Sequence, residues 1–242
     1  APRGGWPLIV TVHGGPEAHD SDGWVTSYGD PGQIGAGAGY AVYYPNYRGS
    51  TGRGQAFARR HQNDYAGREF DDIVDAVDAL AEDGIIDPER VGITGGSYGG
   101  YMVNAVLAAF PGEFDAGVSL FGVADWVTAL EVASPALKAS DRIEYGDITE
   151  QRWRDFYTEN SPIRQADRIN VPVLYSHGVM DPRIDIYETE VMVETLRANG
   201  VRADFIRIPD EGHGWRKLDN QLFYFRREAA FLEEMLLGDE EG

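Results

Sequence analysis

The stretch Val91-Gly92-Ile93-Thr94-Gly95-Gly96-Ser97-Tyr98-Gly99-Gly100 decides the reading of this chain. A short apolar run ends in Gly-x-Ser-x-Gly and passes into a helix-compatible segment from Tyr101 to Phe110. A serine hydroxyl is a weak nucleophile unless it is exposed, held in position and set beside a base. A sharp strand-to-helix turn provides that exposure, and such a turn needs residues without Cβ on both sides of the serine. Gly95, Gly96, Gly99 and Gly100 supply them. The turn also points N–H groups of the new helix towards the place where an oxyanion would develop. The plain alternative is a glycine-rich turn with an incidental serine, and the rest of the chain has to choose between the two.

Working outward, apolar runs suited to buried parallel strands recur at Trp6–Val12, Tyr40–Pro45, Arg90–Thr94, Ala116–Phe121, Val171–Ser176 and Asp204–Ile208. Helical periodicity lies between them. Phe70, Ile73, Val74, Val77, Leu80 and Ala81 form one stripe over Glu69–Glu82, and the break before the next strand is placed at Asp87-Pro88. Tyr187–Ala198 is closed by the C-cap signal Asn199-Gly200. Asn220–Leu237 is a long helix with Leu222, Phe225, Ala229, Leu232 and Leu236 inward, followed by a frayed acidic tail, Asp239–Gly242. Residues 17–39 read as loop with one short helix, and 122–168 as helical pieces over one end of the sheet. Strands alternating with helices predict an α/β fold with a mostly parallel, doubly wound sheet. With no repeat or linker, residues 1–242 are expected to form one domain.

Composition bounds the function. At 43% hydrophobic residues the chain can bury a sizeable core. No run of about 18 apolar residues predicts a membrane span. The start Ala1-Pro2-Arg3-Gly4-Gly5-Trp6 lacks an h-region, which leans towards the cytoplasm over export. The absence of cysteine excludes disulfides, thiolate metal sites and a cysteine nucleophile. The net charge of −19, with Lys138 and Lys217 as the only lysines, disfavours nucleic acid, because the field repels phosphates. Asp71, Asp72, Asp75, Asp78, Glu82 and Asp83 illustrate where the excess lies: a solvated helix face, or adaptation to high salt.

A serine nucleophile needs a base, and the base an orienting acid. The candidates are His13, His19, His61, His177 and His213. His213, in Asp210-Glu211-Gly212-His213-Gly214-Trp215, directly follows the last strand, where the functional loops of an open parallel sheet lie. The acid is expected after the preceding strand. Asp181 is preferred to Asp185, being nearer the strand end and fixed by Pro182. The order Ser97, Asp181, His213 is that of the α/β-hydrolase fold. Two oxyanion donors are needed: the Tyr98 N–H, and the Gly15 N–H of His13-Gly14-Gly15-Pro16, with Gly14 next. His13 itself reads as a loop brace. No histidine pair has i,i+4 spacing, so no metal and no cofactor is expected. Gly49-Ser50-Thr51-Gly52-Arg53-Gly54 lacks the Gly-Lys-Ser/Thr ending of a phosphate loop and reads as a turn.

These pieces, with Asn46-Tyr47-Arg48-Gly49-Ser50-Thr51-Gly52, Asp87-Pro88-Glu89-Arg90-Val91 and Glu211-Gly212-His213-Gly214, together resemble the catalytic domain of the prolyl oligopeptidase family of serine peptidases. The chain looks most like its acylaminoacyl-peptidase and dipeptidyl-peptidase branches, in family order from residue 6 to about 237. The resemblance implies Ser97 as nucleophile, Asp181 as orienter, His213 as base, and Gly15 and Tyr98 as oxyanion donors. It suggests that Arg183 holds a substrate carbonyl or carboxylate, a surface ion pair being the competing reading. It places Trp126 in a substrate pocket, or else in the core. The β-propeller usual in the family and the first strands of the fold are not in this sequence. The expected substrate is a short peptide or an ester, with a carboxylesterase as the alternative enzyme and a non-catalytic binding module as a third reading. An exposed edge strand would favour a homo-oligomer.

Overall fold

The structure is a computed structural model describing residues 2, 4–23, 31–62 and 67–238. The expected tail at Asp239–Gly242, and 24–30 of the expected loop, lie outside the described residues. The strands are β1 (Trp6–Val12), β2 (Ala41–Tyr43), β3 (Ile86–Gly96), β4 (Ala116–Leu120), β5 (Val173–Gly178) and β6 (Ala203–Ile208). They form one sheet in the order β2-β1-β3-β4-β5-β6, and every neighbouring pair is parallel. The helices are α1 (Pro31–Gly37), α2 (Gln55–Ala58), α3 (Glu69–Glu82), α4 (Tyr98–Ala109), α5 (Trp126–Val132), α6 (Pro135–Glu144), α7 (Gln151–Glu159), α8 (Ile186–Ala198) and α9 (Leu218–Leu236). None of these is long and apolar enough to cross a membrane.

Side chains alternate across the sheet, so each strand feeds two cores. Leu8, Val10, Val12, Val91, Ile93, Val173 and Tyr175 pack with α3, α4 and α8. Ile9, Ala116, Val118, Leu174, Ile206 and Ile208 pack with α9 on the opposite face. Being covered on both faces is what makes these strands read as continuous apolar runs.

Three expectations shift. The Asp87-Pro88 break lies inside β3, not before it. Trp6 pairs with Ile86 and Leu8 with Val91, so residues 87–90 bulge out of the ladder. Asp87 holds the bulge by accepting from the Glu89 N–H at 3.0 Å and the Arg90 Nε–H at 2.8 Å. The inward stripe of α9 is Tyr224, Glu228, Phe231, Leu232 and Leu236, whereas Leu222 and Ala229 are exposed. The phase is offset because Glu228, an inward acid, accepts a buried bond from Thr94 at 2.9 Å. Asp72 is not merely solvated: it takes the Arg48 side chain and the Arg48 N–H.

Candidate active site

The carboxyl-terminal ends of β1, β3, β4, β5 and β6 share one edge, and the loops leaving that edge carry every sequence-predicted site residue. In an open parallel sheet this is the edge where chemistry collects.

Ser97 sits between β3 and α4 with φ 60° and ψ −120°, a strained backbone for a residue with a Cβ. It is held there from both sides. Its N–H donates to Leu120 O and its C=O accepts from the Tyr101 N–H, both at 3.0 Å. The flanking glycines serve close approach: a Cβ on Gly95 would lie 2.7 Å from Val12 O, and one on Gly100 2.5 Å from Leu120 O. The turn is thus wedged between the ends of β1 and β4. The helix also begins earlier than Tyr101, at Tyr98. This brings the Tyr98 N–H to the positive end of the α4 dipole.

The His13–Pro16 loop lies directly against this turn. A Cβ on Gly14 would stand 3.3 Å from Ser97 Cβ. His13 braces the loop, with Nε2 2.8 Å from Ser50 Oγ and its ring stacked on Tyr47 at 4.5 Å. His19 bonds Thr51 at 2.8 Å, and His61 packs under Gly49. His13 and His19 therefore tie the 46–54 turn to the loop that follows β1, and His61 braces both, lying under the turn with Nε2 3.9 Å from Glu17 of that loop.

Of the remaining two, His213 donates from Nδ1 to Asp181 Oδ2 at 2.7 Å. Its loop is anchored by Glu211, whose buried Oε1 accepts from the Lys217 N–H at 2.7 Å and from Asn220 Nδ2 at 2.9 Å. His177 is wholly buried. Its Nδ1 accepts from Thr189 at 2.7 Å, its Nε2–H donates to Ile184 O at 3.0 Å, and Nε2 lies 3.4 Å from Asp181 Oδ2. The other oxygen of Asp181, Oδ1, accepts the N–H groups of Arg183 and Ile184 at 2.8 and 3.1 Å. Burial pushes this carboxyl up, but its bonds from His177, His213 and the Arg183 N–H outweigh that and hold it far below the usual carboxylate range. Asp185, the competing acid, faces elsewhere: it caps α8 by accepting from the Tyr187 N–H at 2.9 Å.

One cavity, of about 120 Å³, brings together Ser97, Tyr98, Gly15, Trp126 and Arg183. His213 lines an adjoining groove, and Arg183 borders both. Among the described residues, Ser97 Oγ makes no hydrogen bond with His213 or any other group. The two sides meet instead over Phe121: its ring lies 4.6 Å from the His213 ring, and a Cβ on Gly96 would touch it at 3.1 Å. Trp126 belongs to both environments set against each other in the sequence, lining the cavity while its buried ring packs on Tyr101 at 5.0 Å. The Arg183 side chain is exposed and makes no ion pair among the described residues.

Sequence reasoning missed Phe121, Glu211 and His177 as supports of the site. Phe121 has φ 38°, which no propensity signals, and the roles of Glu211 and His177 depend on contacts across loops.

Residues 30–239 match the model of the prolyl oligopeptidase family. Dipeptidyl aminopeptidase BIII of Pseudoxanthomonas mexicana is 35% identical over 235 residues, covering 96% of this chain and 34% of that protein. A puromycin-hydrolyzing peptidase of Mycobacterium tuberculosis superposes with a TM-score of 0.90 at 29% identity, over 98% of this chain and 35% of that one. Pyrococcus horikoshii acylaminoacyl peptidase superposes with a TM-score of 0.86 at 29% identity, over 99% of this chain and 39% of that one. The chain spans about a third of the length of the curated relatives it matches. The parallel sheet, its order and these superpositions establish the α/β-hydrolase fold. With the family model covering most of its length, the chain belongs to the prolyl oligopeptidase family.

Proposed function

We propose that this protein is a serine hydrolase that cleaves peptide-like acyl bonds through an acyl-enzyme. Ser97 Oγ attacks the substrate carbonyl carbon while His213 Nε2 takes the hydroxyl proton. Asp181 holds the imidazole by its Nδ1–H and stabilises the imidazolium that forms. The N–H groups of Gly15 and Tyr98 receive the oxyanion. Collapse of the tetrahedral intermediate breaks the acyl bond, and His213 delivers its proton to the departing amine. A water, deprotonated by the same imidazole, then releases the acid and restores Ser97. Arg183 holds a carbonyl or carboxylate of the substrate, and Trp126 walls the pocket beside it.

The observation that carries this reading is the 2.7 Å bond between His213 and Asp181 on the sheet edge that also presents Ser97. The named activities of the relatives, a dipeptidyl aminopeptidase, a puromycin-hydrolyzing peptidase and an acylaminoacyl peptidase, favour an amide as the bond cleaved. The test has two parts. A fluorophosphonate probe followed by mass spectrometry should add one label, on Ser97. Values of kcat/KM on dipeptide and acyl-amino-acid anilides, against p-nitrophenyl esters, should show anilide turnover. Efficient ester turnover without detectable anilide cleavage would move the assignment to a carboxylesterase, because activated esters tolerate poorer positioning.

A further inference from the structure

The leaving group has a place of its own on this edge of the sheet. The cavity at Ser97 is walled by Tyr98, Gly15 and Trp126, whereas His213 lines the adjoining open groove of about 700 Å³. An imidazole that hands its proton to a departing amine must stand beside that amine. The groove is therefore where the substrate beyond the scissile bond lies. The loop that carries His213 also gives this groove a charge. Gly214 turns the loop sharply, with φ 104° and its N–H donating to Gly212 O at 3.0 Å. Trp215 then packs inward, its ring 5.5 Å from Phe121 and 5.4 Å from Tyr224. Arg216, the next residue, is exposed and lines the groove. The acids around it are already answered. Asp210 takes the Lys217 ammonium on one oxygen and Asn220 Nδ2 on the other at 3.0 Å. Glu211 is buried and accepts the Lys217 N–H and Asn220 Nδ2. Arg216 forms no ion pair among the described residues, and Arg183, also in the groove, is likewise unpaired. A chain of net charge −19 repels anions at long range, so two unpaired guanidinium groups beside the proton donor set a local field of the opposite sign.

We propose that Arg216 is a specificity residue for the leaving group and receives the free carboxylate of a short peptide as it departs. This rests on Ser97 and His213 acting as nucleophile and base, since that is what makes the groove a leaving-group site. The planar guanidinium presents two parallel N–H donors that match a carboxylate, and a neutral carboxamide offers it a weaker, uncharged partner. Met180 and Pro182 border the same groove and give the side chains of the leaving peptide an apolar wall. Arg216 has no part in the proton transfers.

A groove that releases an amine also admits one, because the forward and reverse steps share a transition state. The experiment therefore forms the acyl-enzyme from an acyl p-nitrophenyl ester and offers it alanyl-leucine or alanyl-leucinamide. The amine nitrogen attacks the acyl carbon, His213 takes its proton and returns it to Ser97 Oγ, and the ester bond to serine breaks as the amide forms. The yield of amide over acid, per mole of nucleophile, reads the groove. The two nucleophiles differ only at the end remote from the attacking amine. The native chain should favour the carboxylate by about fivefold, as one exposed charge pair provides. Arg216→Gln should bring the ratio to within about twofold of unity, and Arg216→Glu should turn it towards the carboxamide. Both nucleophiles meet the same acyl-enzyme, so a variant that only disturbs the His213 loop slows them alike. Equal use of the two by the native chain, or no amide from either, overturns the inference. So does a preference that survives in Arg216→Gln, and its loss in Arg183→Gln would then move the carboxylate to Arg183. Failure of the parent reading looks different: no Ser97 label and no release of p-nitrophenol, in which case both fall together.

Discussion

Asp181 Oδ2 receives the Nδ1–H of His213 at 2.7 Å while its other oxygen is committed to two backbone N–H groups of its own loop. The carboxylate is therefore fixed before it orients anything. His177, wholly buried and bonded to Thr189 and Ile184 O, closes the last side. This saturation lets a charge persist at a buried position, because each donor offsets part of the desolvation.

Asp181→Asn and Asp185→Asn separate the two acids that flank Pro182 and Arg183. In Asp181→Asn the imidazole loses its charged partner, and kcat should fall by about 10³- to 10⁴-fold. In Asp185→Asn the new side chain still caps α8, so kcat should stay within about twofold and stability within a few tenths of a kcal/mol. Kinetics of both variants on one ester, with thermal melts alongside, check this. The reverse ranking would move the orienting role to Asp185.

Ser97 holds a backbone conformation that costs free energy for any residue with a Cβ. Ser97→Gly should abolish turnover yet stabilise the fold by about 1 kcal/mol, being strain relief of about 1–3 less about 0.5–1 for glycine's flexibility. Ser97→Ala should be equally inactive with stability within about 0.5 kcal/mol of the native chain, since its Cβ keeps the strain. Urea unfolding of the three proteins is the measurement. If the glycine variant is the least stable, the strain assignment is wrong.

Glu188 on α8 gives a pH dependence of stability whose sign is fixed. Its Oε2 accepts the N–H groups of Ala124 and Asp125 at 3.0 and 2.7 Å, whereas among the described residues Oε1 is buried without a hydrogen-bond partner. Burial pushes the carboxyl up to about 7 from 4.5; the two N–H groups pull it down, and Asp125 and Asp185 push it further up. Arg164 answers Asp125, bonding it at 2.8 Å. Between these pH values the folded chain holds a proton that the unfolded chain has lost, so stability falls as pH rises. The full fall is about 3 kcal/mol, complete near pH 7, with the contribution fully present below about 4.5. Glu188→Gln should lack this slope. Unfolding free energies of both proteins between pH 5 and 8 test it, and parallel curves would show that Glu188 does not titrate there.

The elements were legible in sequence where a local pattern carried them. The apolar runs, the 3.6-residue stripe over Glu69–Glu82 and the glycines about Ser97 each follow from short-range geometry, and they set the parallel α/β fold. The α9 stripe is not legible locally because its inward positions include Glu228, whose carboxylate is bonded by Thr94, more than a hundred residues away. The Asp87-Pro88 bulge reads as a break in the sequence because it exists only as a mismatch with β1.

The site divides the same way. The motifs around Ser97, Asp181 and His213 are local signatures, and the chain order of the three follows from sequence alone. Which carboxylate meets which imidazole was settled only by loop geometry that puts Asp181 against His213 and turns Asp185 back to cap α8. Five histidines look alike in a sequence. Tertiary packing makes three of them braces, buries the fourth and leaves His213 in the groove, because burial and hydrogen-bond partners belong to the folded chain and not to the residue.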